Sequence, residues 1–422
     1  MLPKQRRYKV LYFSGYEWGN MGRRKVRLAH EFARQPEVAS LLYVEPPVET
    51  SFLDLARGRL DSCHLEPSRR AHLQALLGRP RQVEEKVWAY TGSTKTVPLS
   101  RFDVLRRMDA LRRLNRGLYV RGLRRSLARL RAGRVVLWLT HPLQVFALDA
   151  FPERALVCYD WTDDWAEFDW LPVEDREELI AWNDHIVRRA DVVFAVSQHL
   201  TRRAQALNSH VCRAPNATDL DVIGVAVQRD GPVASELSDL PRPIIGYVGQ
   251  IADKMDYELI SHIAQARPDW SLVFVGPVWS TKRERVAALE ASGNVHFLGA
   301  RPFDVLASYL GGFDVCTLPH VISPLTRSMD PIKLYDYLAT GKPIVSTPVA
   351  GVERFADVVH VGETPDAFLS GLERALSENG SLRKRRVSYA QENTWSRRAR
   401  EMWKLVVRGL GGWEDGICPG SV

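Results

Sequence analysis

Short apolar runs alternate with segments of helical periodicity along most of this chain. Lys9–Phe13, Leu41–Val44, Val135–Leu139, Ala155–Tyr159, Asp191–Ala195 and Val211–Ala214 read as strands in the first half. Ile244–Gly249, Ser271–Val275, Val295–Leu298, Asp314–Leu318 and Ile344–Ser346 form a second series. Their nearly continuous apolar character suits strands covered on both faces, and alternation with helices predicts parallel sheets joined by crossovers. Thr218–Pro243 interrupts the pattern with Gly224, Gly231, Pro232, Pro241 and Pro243, as a linker does. The expected architecture is α/β, with two Rossmann-like doubly wound domains facing a cleft. The N-terminal domain is placed at 1–225, the linker at 226–243 and the C-terminal domain at 244–393. Residues 394–422 are read as a terminal helix packing back on the first domain. Ser381–Asn393 and Arg397–Leu410 carry helical patterns around Trp395. Glu49–Val97 lacks clear periodicity and stays unassigned.

One further helical stretch changes the picture through its charge. Val104, Met108, Leu111, Leu114 and Leu118, then Val120, Leu123, Leu127 and Leu130, recur at helical spacing, with arginine throughout Arg101–Arg134. This predicts one long amphipathic helix, or two broken near Gly117 or Gly122. The arginines are a solvated face or a patch for anionic lipid headgroups. They dominate a formal net charge of +8 on 422 residues. No aromatic-and-basic motif accompanies them, so nucleic acid is not expected as a partner. No apolar run is long enough to span a bilayer, and the basic start leads into a strand, not a signal peptide. Cys63, Cys158, Cys212, Cys316 and Cys418 are scattered without a CxxC, and read as free thiols in a reducing cytoplasm.

The most informative segment is SPLTRSMDPIKLYDYLATGKPIVSTP, Ser323–Pro348. Asp330 suits an N-cap, Pro331 the first helical position and Gly341 the helix end. The pattern predicts a short helix whose amino end faces the strand-end crevice. Its free N–H groups and dipole suit a diphosphate. Lys333 in its first turn is unfavourable for the helix alone and serves an anionic ligand. Asp336 lies where a carboxylate accepts ribose hydroxyls. A plain, well-capped helix accounts for the same residues without any ligand.

DPIKLYDYLATGKPIVSTP after FDVCTLPH, IIGYVGQIADKMDYELI before WSLVFVGP, and NVHFLGARPFDVLASYLGGFDV resemble the donor domain of GT-B glycosyltransferases of the "group 1", family 4 type. CYDWTDDWAEF, ADVVFAVSQHL and APNATDLD resemble the first-domain segments of the same family. The similarity runs from about Tyr8 to Trp403 and leans toward bacterial cell-surface polysaccharide transferases of the teichuronic-acid type. It implies a donor site of Gly22, Gly249, Gln250, Lys254, Ala300, Arg301, Ser328, Met329, Lys333 and Asp336. The family's pair of Glu residues aligns with Ser328 and Asp336. Its diphosphate cations align with Gln250 and, one residue displaced, Lys254; Lys333, Lys254 and Arg301 are the nearest substitutes. The main chain at Ala300 and Arg301 matches the stretch that reads the base.

In the first domain, GYEWGNMGRR follows the first strand, with Gly22 at a close approach and Arg23, Arg24 and Lys25 adding charge. A flexible strand-to-helix loop explains it equally. His141 sits at a strand's carboxyl end, where it is either structural or bonded to the transferred sugar. Asp160, Asp163 and Asp164, interleaved with Trp161, Trp165 and Trp170, suit acceptor hydroxyls, a base or Mg²⁺, or simply an acid-rich helix start. His141, Asp163 and Lys333 are the expected catalytic residues. Trp18, Arg23, Asp160, Asp164 and Trp165 are the expected acceptor contacts.

The resemblance implies transfer of a sugar from a nucleoside diphosphate to a hydroxyl of a glycan, lipid-linked or small acceptor. Anomeric configuration is expected to be retained, with neither metal nor cofactor. The expected place is the cytoplasm, including the inner face of the membrane, in cell-envelope polysaccharide synthesis. A nucleotide-sugar epimerase, which would form product without acceptor, is the first alternative. A weak binding or scaffold subunit, which would bind donor without turnover, is the second. A basic membrane- or nucleic-acid-binding protein without nucleotide-sugar affinity is the third.

Overall fold

A computed structural model describes residues 7–19, 22–48, 69–93, 109–131, 133–168, 173–224, 231 and 233–412. Among these, fourteen strands form two sheets. The first has eight strands: β1 (Tyr8–Phe13), β2 (Val38–Val44), β3 (Arg81–Glu84), β4 (Val87–Tyr90), β5 (Arg134–Leu139), β6 (Leu156–Trp161), β7 (Val192–Ala195) and β8 (Val211–Arg213). Their order is β3-β4-β2-β1-β5-β6-β7-β8. Every pairing is parallel except β3 with β4. The second sheet is wholly parallel, in the order β11-β10-β9-β12-β13-β14. It comprises β9 (Ile244–Val248), β10 (Ser271–Val275), β11 (Val295–Gly299), β12 (Val315–Leu318), β13 (Ile344–Ser346) and β14 (His360–Val361). The central strands are buried on both faces, as their apolar runs require.

The β3–β4 hairpin falls within the stretch that sequence left unassigned. Each strand has four residues, and β3 (RQVE) is mostly polar, too short and mixed for period-2 alternation to register.

Four helices position the site. Helix α1 (Arg24–Ala33) follows β1 and buries Val26, Leu28, Ala29 and Phe32. Helix α2 is Asp109–Ala128. Helix α3 (Ile332–Thr340) enters β13 through Gly341, which holds a left-handed φ of 72°. Helix α4 (Trp395–Gly411) lays Trp395, Met402, Trp403 and Val406 into the first domain's core, beside Val10 and Phe32. Ile223, Ala234 and Leu237, all within the linker-like stretch, pack into the second domain's core.

Helix α2 is continuous through Gly117 and Gly122. Its inward face is Asn115, Tyr119, Leu123 and Leu127, with Leu130 buried just beyond its end, while Leu114 and Leu118 are 51% and 40% exposed. The expected apolar stripe therefore does not continue as one core face, because the stripe that packs is the one through Tyr119. Arg101–Arg107, Val104 and Met108 lie outside the described residues, as do Cys63, Cys418 and Trp170. Cys158 and Cys316 are buried free thiols. Cys212 is disulfide-bonded, correcting the expectation of five free thiols. Scattered spacing carries no pairing information. Among the described residues no helix is long and apolar enough to cross a membrane.

Candidate active site

The two sheets meet along a buried polar seam. Arg24, at the start of α1, grips Asp160 at the end of β6 with both carboxylate oxygens, at 2.7 and 3.1 Å, and donates to the Pro215 carbonyl at 3.0 Å. The Asn216 N–H donates to Asp330 at 2.6 Å, and the Asn216 side-chain amide donates to the Asp330 carbonyl. The Tyr335 hydroxyl and Arg354 complete the surroundings of Asp330. Ser197 donates to the Ser328 carbonyl. Arg24, Asp160 and Asp330 are buried and each is paired, which is how structural charges are tolerated.

Beside the seam lies a second group of charges with different partners. Gly249 follows β9 with a φ of 145°, and a Cβ there would stand 2.5 Å from Lys333 Cε. Lys333, buried in the first turn of α3, reaches back into this space over the Tyr247 ring, 4.8 Å from its centre. Lys254 approaches from the loop after β9 and comes within interaction range of Lys333. Arg23, just before α1, reaches the same cluster from the first domain and stacks on Tyr16 at 5.0 Å. Among the described residues, none of Arg23, Lys254 and Lys333 forms an ion pair. Burial, then Lys254 and Arg23, drive the Lys333 ammonium well below its ordinary pKa. Burial lowers that of Lys254, with Arg23 adding repulsion. Three cations in one desolvated space repel one another until an anion joins them.

His141 follows β5. Its Nδ1 accepts the Leu143 N–H at 3.1 Å, leaving the proton on Nε2. Burial, with Lys25 nearby, lowers its pKa to about 3, so the ring is neutral at ordinary pH. It packs against Trp165, ring centres 4.2 Å apart. Asp163 accepts from the Thr162 hydroxyl at 2.7 Å. It lies within electrostatic reach of Lys25 and Lys254.

The expected residues thus divide. His141, Asp163, Arg23, Trp165, Gly249, Lys254 and Lys333 converge, and Gln250 and Met329 border the group, half-buried. Gly22 meets the Phe303 ring of the second domain, where a Cβ would approach to 2.9 Å. Asp336 accepts from Thr218 at 2.7 Å, and burial lifts its pKa to about 7. Others go elsewhere. Asp160 belongs to Arg24, and Asp164 pairs with Arg203, so with Asp163 they form no common ligand set. Ser328 is buried and turns its hydroxyl to the Leu325 carbonyl. Arg301 is no free diphosphate cation, because Glu236 and the Tyr309 hydroxyl hold it at 2.9 and 2.7 Å. Ala300 is exposed, and its carbonyl accepts from Arg301. Trp18 donates its N–H to Glu45 and packs on Tyr43, with no acceptor-facing role evident. Asp330 does not cap α3; Pro331 occupies that position while the carboxylate joins the seam. Sequence reasoning passed over Tyr16, Tyr247 and Thr218, which no motif marked.

A cavity of about 460 Å³, lined by Gly311, Asp314, Lys342 and Arg383, lies at the opposite, amino ends of the second sheet's strands. Doubly wound sheets bind ligands at the carboxyl ends of their strands. This cavity opens where β12 and β13 begin, and its Asp314 is held by Arg242. The cationic cluster is the better candidate.

Residues 242–378 match the family described as "Glycosyl transferases group 1". The putative teichuronic acid biosynthesis glycosyltransferase TuaH of Bacillus subtilis (strain 168) is 24% identical over 292 residues, covering 65% of this chain and 72% of its own. The second domain is thus similar to the group 1 glycosyltransferases, and the fold is GT-B. Among solved structures, sucrose-phosphate synthase from Thermosynechococcus elongatus superposes with a TM-score of 0.65 at 14% identity, covering 96% of this chain and 99% of its own. Anabaena HepE in complex with UDP and glucose gives 0.61 at 14%, covering 95% and 99%. An α,α-trehalose-phosphate synthase (UDP-forming) from Burkholderia vietnamiensis gives 0.64 at 14%, covering 96% and 100%. At such identities the superpositions speak for the GT-B fold.

Proposed function

We propose that this glycosyltransferase holds the diphosphate of a nucleoside-diphosphate sugar among Arg23, Lys254, Lys333 and the amino end of α3. The convergence of three cations from both domains, Lys333 buried and Arg23 and Lys254 half-buried, without ion pairs among the described residues, carries this reading. A leaving diphosphate gains negative charge as the glycosidic bond breaks, and preorganised cations stabilise that charge selectively. They supply the neutralisation that a metal provides elsewhere, so turnover persists in a chelator. Asp336 accepts ribose hydroxyls, and the Nε2–H of neutral His141 donates to the transferred sugar. Asp163 receives the acceptor hydroxyl.

A double displacement needs a carboxylate nucleophile with an acid–base partner about 5 Å away, whereas Asp160 and Asp164 are both paired. We favour a front-face step. The C1–O bond to the diphosphate breaks, the acceptor oxygen bonds C1 from the same face, and its proton passes to the departing phosphate oxygen. NMR of the product tests this: retained configuration is expected, and inversion rejects it. The UDP named for HepE and for the UDP-forming synthase makes UDP-sugars the first donors to assay.

Helix α2 favours a membrane-bound acceptor. Exposed Leu114 and Leu118 sit among Arg113, Arg116, Arg121 and Arg125, a mixture that suits anionic headgroups. Flotation with anionic vesicles should fall in the Arg113→Glu/Arg116→Glu/Arg121→Glu variant; equal binding rejects the proposal.

A further inference from the structure

Lys25 is a buried cation that the donor reading leaves over. Its side chain is 5% exposed, and its Nζ donates to the Thr140 carbonyl at 3.3 Å. The ammonium otherwise lies over two aromatic faces, Trp165 at 5.0 Å and Tyr16 at 5.8 Å. Gly15 lines the same space, where a Cβ would stand 3.8 Å from Nζ. Among the described residues no carboxylate is within ion-pair distance of it. Asp160 is gripped by Arg24, and Asp163 acts on Lys25 only from farther away. Burial accordingly lowers its pKa.

A desolvated ammonium with one long hydrogen bond is costly unless a ligand completes it. Its position defines the ligand's place. Lys25 sits between the ends of β1 and β5, beside His141 and on the first-domain side of Lys254 and Lys333. Charge points the same way. A nucleoside-diphosphate sugar brings two negative charges against Arg23, Lys254 and Lys333, and Asp163 brings a third. Lys25 is then a net surplus in a buried space.

We infer that Lys25 receives an anionic group, carboxylate or phosphate, on the acceptor, making the preferred acceptor an acidic sugar. This rests on the donor reading for which side of the cluster the acceptor occupies. Lys25 acts here as a specificity residue and takes no part in bond making.

The test titrates glucuronate, glucose 6-phosphate and glucose into the full-length chain by calorimetry, with and without saturating UDP. Comparing the two acids separates a carboxylate from a phosphate source. At least one acid should bind about 10-fold more tightly than glucose, since a charged hydrogen bond is gained. Lys25→Met should abolish that preference while UDP affinity stays within about 2-fold. Lys25→Arg should keep it. Equal binding of all three sugars overturns the inference, as does a preference surviving in Lys25→Met or lost equally in Lys25→Arg. Failure of UDP to bind, with the acid preference intact in the nucleotide-free titration, would sink the donor reading alone.

Discussion

Three consecutive residues, Arg23, Arg24 and Lys25, divide between two regions of opposite character. Arg24 enters the seam, where Asp160 and the Pro215 carbonyl satisfy it. Arg23 and Lys25 face the cleft with aromatic rings and no ion pair among the described residues. The seam shows how this chain buries a charge for structure. The cleft shows charges left for a ligand. Burial alone does not separate the two; pairing does.

The largest expected effect lies in the seam. Arg24→Met leaves Asp160 buried without a counter-ion and should cost about 3–5 kcal/mol of stability in denaturant titration. A loss below about 1 kcal/mol would mean that the seam is not the structural half of the comparison. Lys333→Ala should do the reverse. UDP affinity falls about 10–100-fold through loss of a charged contact, while the melting temperature holds or rises because repulsion from Lys254 and Arg23 is relieved. A lowered melting temperature would move Lys333 to the structural side.

Asp336 sharpens the boundary through pH. Its folded pKa, about 7, lies above the ordinary 3.8. Between those values the fold keeps a proton that the unfolded chain releases, so stability falls as pH rises toward 7 and levels off above it. Asp336→Asn should flatten that slope in melting curves and weaken UDP about 10-fold through loss of a charged acceptor. An unchanged slope would place the titration elsewhere. The smallest effect belongs to Arg301→Ala, whose guanidinium is already committed to Glu236 and Tyr309; UDP affinity should move less than about 2-fold.

The alternation of strands and helices, the short helix before Gly341 and the strand-end position of His141 were legible in sequence, because each rests on local propensity or period. Partner choice was not. Asp160, Asp163 and Asp164 are near neighbours in sequence, yet they turn to Arg24, toward the cleft and to Arg203. Family alignment marked the positions of Ser328 and Arg301 but could not tell that a backbone carbonyl and Glu236 engage them. Leu114 and Leu118 carried a helical period without saying which stripe packs. The β3–β4 hairpin was hidden by its length and by the polar character of β3.

The central claim is that Lys254 and Lys333, with depressed pKa values, hold a diphosphate. UDP titrated calorimetrically at about pH 8, in two buffers of different ionisation heat, tests it most directly. Asp336 is largely ionised there and adds little proton release. The account predicts binding with net proton uptake, diminished in Lys333→Ala, because the anion restores the lysine charge. UDP binding without proton uptake, or the same uptake in Lys333→Ala, would contradict it.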